Sequence, residues 1–205
     1  MSMAMAQQIM DSKVEDMSWA PADARAVLEI DLDALLANWR QLQDVAGPAE
    51  CAGVIKADAY GLGLEEIASE LADAGCQTYF VASLEEGQRA RTIAPGAKIY
   101  ILDGLLPGAG DFYKGFNLQP VLSSMPEIEE WAAICRELGR RLPAAIHVDT
   151  GMHRLGISSD ELDKLTAEGL IADFAPTLVM SHLACADEPG HAANAEQHAV
   201  FERAR

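Results

Sequence analysis

The chain has 205 residues, half of them hydrophobic and only 6% aromatic, with 15 basic against 32 acidic side chains and a net charge of −17. That length gives one domain with a sizeable core but falls short of the about 250 residues of a complete eight-stranded (β/α) barrel. The acid excess excludes nucleic acid as a partner, since no Lys/Arg surplus exists to neutralise phosphates, and no stretch approaches the roughly 18 apolar residues that a membrane-spanning helix needs.

Residues 1–24 carry Asp11, Glu15 and Asp16 and lack a basic flank followed by an apolar block, so they are expected to form a loosely ordered extension rather than a secretory leader. A single domain is expected over 25–205. After the A-V-L-E-I-D run at 26, the periodicity predicts a helix over Leu32–Val45. From there short apolar runs alternate with segments of helical period. The runs are C-A-G-V-I-K at 51, Y-F-V-A at 79, K-I-Y-I-L at 98, Q-P-V-L at 119, A-A-I-H-V-D at 144 and T-L-V-M-S-H at 177, which makes six strands. Helices are expected over Leu64–Ala74, Leu84–Ile93, Pro126–Gly139 and Asp160–Glu168, and Ala192–Arg205 reads as the approach to a seventh strand, ending in mid-helix. Ser124 and Ser159 serve as N-cap or pre-cap residues, and Gly139 as a helix stop. The glycine-rich run L-D-G-L-L-P-G-A-G at 102–110 lacks the lysine and Ser/Thr of a phosphate-binding loop and reads as a connection.

Alternating strands and helices, with strands that are nearly continuous apolar runs, predict a parallel sheet covered by helices. An open doubly wound sheet fits that pattern too. The polar residues favour a barrel: Lys56, Asp149 with Arg154, and His182 each fall at or just past the carboxyl end of a different strand, the face on which (β/α) barrels gather their active groups. Cysteines at 51, 76, 135 and 185 form no C-x-x-C pair and read as reduced thiols of a cytoplasmic protein, Cys135 and Cys185 as small packing residues. His182 and Cys185 start a metal-like spacing that no second pair completes, so no metal is expected.

One lysine stands out. Lys56 ends an apolar run directly before a glycine-bracketed turn, in V-I-K-A-D-A-Y-G-L-G at 54–63. A strand-end lysine ordinarily snorkels to water. One held against apolar walls loses preference for the ammonium form, and its free lone pair can condense with an aldehyde. Arg154 offers a planar fork matched to a carboxylate, although arginines after strands more often make surface ion pairs. Asp149 is expected to fix the loop bearing Arg154 by accepting backbone N–H groups. Asp58 and His153 read as solvent-facing or supporting residues. His182 reads equally as a core histidine bonded to backbone.

The decapeptide at 54–63, H-V-D-T-G-M-H-R-L-G at 147–156 and S-H-L-A-C-A-D-E at 181–188 resemble, in this order, motifs of the alanine racemases, and the likeness runs from about Arg25 to Arg205. The resemblance implies an α/β, (β/α)8 TIM-type barrel, here with six of the eight strands and without the family's separate C-terminal β domain. It implies pyridoxal 5'-phosphate as cofactor, carried by Lys56, with Tyr60 on its phosphate and His182 on its ring. Arg154 would hold the substrate carboxylate or the cofactor ring oxygen. It further implies alanine as substrate, a homodimer, and D-alanine made for cell-wall peptidoglycan. The family's second catalytic base, a tyrosine, comes from the C-terminal domain of a partner subunit, and Tyr60, Tyr79, Tyr100 and Tyr113 fall too early in the chain to match it. One departure is His147, where the family commonly has a lysine that becomes carbamylated and steadies the arginine; imidazole cannot form that group. A non-catalytic cofactor-binding barrel, or a related decarboxylase or aldolase, is the competing expectation. The 205 residues alone are expected to have little activity.

Overall fold

The computed structural model describes residues 25–205, and the extension expected over 1–24 lies outside them. The chain divides into a unit ending at Asp31, of which residues 25–31 form neither helix nor strand, and a unit spanning Leu32–Arg205 that contains every element below. In chain order these are α1 (Leu32–Ala46), β1 (Gly53–Val54), α2 (Leu64–Asp73), β2 (Thr78–Val81), α3 (Leu84–Ile93), β3 (Lys98–Ile101) and α4 (Gly110–Gly115). There follow β4 (Gln119–Leu122), α5 (Met125–Leu138), β5 (Pro143–His147), α6 (Ser159–Glu168), β6 (Ala175–Met180) and α7 (Ala192–Ala204). Among the described residues no helix is long and apolar enough to cross a membrane.

The six strands are all parallel and pair in sequence order, β1 to β6. Each apolar run read from the sequence holds a strand. Period-two alternation then sorts the side chains. Tyr79, Val81, Ile99 and Ile101 are buried, while Tyr100, Val121 and Ala145 form a second cluster joined by Phe80, Leu102, Leu178 and Met180.

That second cluster lines the inside of a curled sheet. The Tyr100 hydroxyl of β3 lies 3.1 Å from Thr177 Oγ1 of β6, and the Thr177 hydroxyl donates to Gln119 Oε1 of β4 at 2.6 Å. In a flat sheet, β3 and β6 would stand three strand spacings, about 14 Å, apart. Tyrosine cannot bridge that gap, so the strands wrap round and bring both residues onto one concave face. A register irregularity between β5 and β6, at Ala144/Ala145, accompanies the wrap. This is the barrel arrangement, and the open-sheet alternative is excluded.

Helix ends follow local chemistry. Ser83 and Glu86 form a reciprocal capping box at α3, and Ser158 and Glu161 do so at α6. The cap of α6 is thus Ser158, and Ser159 is the first helical residue, because Ser158 has the extended backbone that aims its hydroxyl at Glu161 N–H. Ser124 is the N-cap residue of α5, and Gly139 ends that helix in the left-handed conformation expected of a glycine stop. The short α4 is absent from the sequence reading, since six residues are too few to display a helical period. The glycine-rich loop before it is held by carboxylates of α5: Leu105 N–H donates to Glu127 Oε1 at 3.2 Å and Gly108 N–H to Glu130 Oε1 at 2.9 Å. A loop whose amides face carboxylates is no cradle for phosphate. At the amino ends of the strands, the Arg91 guanidinium donates to the carbonyls of Ala94, Pro95, Ala97, Phe116 and Asn117, fastening the turns before β3 and β4.

Candidate active site

Because the strands are parallel, their carboxyl ends meet at one rim, and the residues singled out from the sequence stand there. Lys56 comes two residues after β1, His147 is the last residue of β5, Arg154 lies on the loop after it, and His182 lies two residues past β6. At Gly53 a Cβ would meet Leu71 Cδ1 of α2 at 3.0 Å, so that position faces the helical shell. Alternation turns Val54, 46% exposed, to the opposite, inner face, and half-buried Lys56 follows just past the strand end.

Directly after Lys56 the backbone leaves the strand and makes a left-handed turn. Ala57, Asp58, Ala59 and Tyr60 all have φ between 52° and 58° with positive ψ. For L-residues this costs roughly 1–2 kcal/mol each, and non-glycine residues normally adopt it singly. Such strain persists only where surrounding contacts fix it. Here the contacts are electrostatic. Asp58 Oδ1 accepts from Leu64 N–H at 3.1 Å and from Arg89 Nη2 at 2.7 Å, and Arg89 grips Glu65 with both Nε and Nη2, at 2.7 and 2.6 Å. Asp58 N–H donates to Glu86 Oε1 at 3.0 Å, while the other oxygen of Glu86 accepts from Ala82 N–H at 2.8 Å. The capping residue of α3 therefore also holds the turn after β1. Asp58 is half-exposed as expected, yet its work is to brace the turn that presents Lys56. The hydrogen bond from Arg89 sets Asp58 below the usual carboxylate range and Glu65 at about 2.

The loop after β5 is tied as the sequence suggested. Asp149 Oδ1 accepts N–H groups of Gly151, Met152 and His153 at 2.9, 3.1 and 3.1 Å. Burial raises the Asp149 carboxyl, but the Gly151 and His153 amides outweigh it and the net direction is down. His153 is exposed and touches Asp149 Oδ2 at 3.1 Å. The loop closes on itself where Ile157 N–H donates to the His147 carbonyl and Asp149 N–H to the Ile157 carbonyl, both at 2.9 Å. Gly156 permits this closure, with φ 108° and no room for a Cβ, which would sit 2.6 Å from Asp149 N.

His147 is 8% exposed, and burial lowers its pKa, with His182 and Arg154 adding to the effect and Asp149 opposing it. Arg154 itself is exposed, and neither it nor Lys56, nor the Tyr60 hydroxyl, nor the His182 ring makes a hydrogen bond or ion pair with a described residue. His182 is exposed rather than a core histidine; it lines a cavity of about 240 Å³ with Thr150, Leu183 and Phe201. Tyr60 is 64% exposed. The other three tyrosines are spoken for: Tyr79 donates to the Ala68 carbonyl, Tyr113 to that of Gly104, and Tyr100 meets Thr177.

Sequence reasoning missed Arg89, Glu65 and Gln197. The Ser83–Glu86 spacing was a legible capping signal, but nothing in a helical pattern marks a glutamine as buried.

A family model described as alanine racemase, N-terminal domain, matches residues 30–205. The chain belongs to that family. An alanine racemase from Methylobacterium nodulans is 53% identical over 180 residues, covering 88% of this chain and 49% of that protein. One from Rhodospirillum rubrum is 48% identical over 184 residues, with the same coverage of 88% and 49%. The crystal structure of alanine racemase from Bartonella henselae with covalently bound pyridoxal phosphate matches with a TM-score of 0.82 and 38% identity, over 85% of this chain and 52% of that one. The chain spans about half the length of the alanine racemases it matches. The incomplete alanine racemase barrel expected from three short motifs is therefore the fold of this chain.

Proposed function

We propose that this chain is the cofactor-holding barrel of a pyridoxal-phosphate-dependent alanine racemase, with Lys56 as its covalent anchor. The observation that carries the reading is the set of unpartnered groups on one rim: in a chain of net charge −17, Lys56, Arg154, Tyr60 and His182 have no carboxylate or carbonyl partner among the described residues. Two cations, a hydroxyl and an imidazole held free in this way suit an anionic, phosphate-bearing aldehyde. The covalently bound cofactor of the Bartonella henselae relative supports the same assignment.

Lys56 Nζ would hold the cofactor as its covalent anchor. The Tyr60 hydroxyl would donate to its phosphate, the His182 imidazole would support its ring, and the Arg154 fork would take the substrate carboxylate or the ring oxygen. When bound, the cofactor draws electrons from the bond to the substrate's α-hydrogen. Lys56 Nζ then removes or returns the proton at the α-carbon on one face. Racemisation needs a base on the other face as well. Tyr79, Tyr100 and Tyr113 are buried and committed to other partners, which supports a base from outside this chain, supplied in a homodimer. By the same reading the enzyme works in the cytoplasm, as four free cysteines support, and its D-alanine goes to the bacterial cell wall.

The test is borohydride reduction with pyridoxal phosphate, followed by peptide mapping and an assay for L- and D-alanine interconversion by the intact protein. Label on Lys56, and activity lost about a thousandfold in Lys56→Ala, is the expected result. Label on a different lysine overturns the proposal.

A further inference from the structure

Helix α7 buries one side chain, Gln197, which is 3% exposed and polar. Its amide makes three hydrogen bonds, none within its own helix. Oε1 accepts from Ala184 N–H at 2.8 Å, and Nε2 donates to the His182 carbonyl at 2.9 Å and to Thr150 Oγ1 at 3.1 Å. Ala184 N–H can only donate and the His182 carbonyl can only accept, so the amide is locked in one of its two orientations. Thr150 Oγ1 in turn lies 2.7 Å from Ser181 Oγ, closing a bridge between the two loops.

These loops are the ones that carry Arg154 and His182. Neither side chain has a partner of its own, so the separation between guanidinium and imidazole is set by whatever ties their backbones. Beside the Thr150–Ser181 contact, Gln197 supplies three of those ties: one amide reads the second residue of the Arg154 loop's D-T-G motif and two backbone groups of the His182 loop. We infer that Gln197 is a positioning residue of the site, fixing Arg154 relative to His182 without touching substrate. The inference rests on the alanine racemase reading above. Its physical basis is geometric, since a displacement of about 1 Å in a group that orients substrate can cost about a hundredfold in rate.

The experiment uses the intact protein and three variants. Gln197→Met keeps the volume and helix preference but removes all three hydrogen bonds; Thr150→Val removes one arm together with the Ser181 contact, and Thr150→Ser keeps the hydroxyl that makes both. The expected result for Gln197→Met is a KM for alanine raised about tenfold, with Lys56 still taking cofactor in full stoichiometry under borohydride. Thr150→Val raises KM by less, and Thr150→Ser rescues most of that loss. A Gln197→Met KM within twofold of the parent overturns the inference. So does a loss of Lys56 loading in step with the folded fraction, which would mark a purely structural role. Should Gln197→Met not fold, the Thr150 pair decides, and equal KM in the Ser and Val variants overturns the inference. A parent that neither interconverts alanine nor loads cofactor at Lys56 overturns both this and the functional reading, whereas failure confined to the variants overturns this one alone.

Discussion

The guanidinium of Arg89 holds the carboxylate of Asp58 at 2.7 Å, and Asp58 stands two residues after Lys56 in the left-handed turn that presents the lysine. The turn is unfavourable by itself and is kept by contacts from α2 and α3, so the placement of Lys56 depends on side chains about 30 residues away in sequence.

Because the turn is left-handed, Ala57→Gly should stabilise the protein by about 1 kcal/mol, as glycine escapes the Cβ clash that alanine suffers at φ 52°. In an ordinary right-handed helix the same change would cost about 1 kcal/mol. Urea denaturation of the two proteins gives the sign, and destabilisation would refute the turn geometry.

The Arg89 clamp should persist into acid. Its hydrogen bonds lower Asp58 and bring Glu65 from 4.5 to about 2, so both carboxylates ionise more readily folded than unfolded. The clamp's contribution is complete above about pH 4.5 and is lost as the pH falls toward about 2. The difference in urea midpoint between parent and Arg89→Ala should stay level from about pH 7 to about pH 5 and shrink below about pH 4. Because these groups face water, about 1 M salt should also reduce it. A difference that grows on acidification contradicts the clamp.

Burial holds His147 below its ordinary 6.5, and His182 and Arg154 act in the same direction. The unfolded chain therefore binds a proton that the folded chain resists, and stability declines as the pH drops below about 6.5, levelling off under the folded pKa. Parent protein should lose more urea resistance between about pH 7.5 and about pH 5.5 than His147→Gln does. Equal losses would mean that His147 is already hydrated or charged in the fold.

Gly156→Ala brings a Cβ to 2.6 Å from Asp149 N and 2.8 Å from Val148 C, both backbone atoms that cannot swing aside. The expected cost is about 2 kcal/mol. Activity should fall further than stability explains, since Arg154 rides on the same closed loop. An unchanged urea midpoint would show that the loop opens freely.

Most of the architecture was legible because a parallel sheet wrapped in helices writes its period into the chain. Q-P-V-L became β4 residue for residue, and Leu84–Ile93 became α3. The parts that could not be read were those without a period: the left-handed turn, which looks in sequence like any glycine-bracketed loop, and the six residues of α4. Asp149 was readable as a loop fastener because its acceptors act on neighbours two to four residues away. Arg89, Glu65 and Gln197 were not, because each works on residues between 13 and 47 positions distant.

The amino-acid sequence by itself determined the family, the order of strands and helices, and which lysine, arginine and histidine lie at the strand ends, since motif and periodicity are local properties of a chain. Tertiary structure alone decided that the sheet curls far enough for Tyr100 to meet Thr177, that Arg89 braces the turn beside Lys56, and that Gln197 ties two loops together. The reason is that hydrogen bonds between distant residues depend on how the whole sheet bends, which no short stretch of sequence encodes.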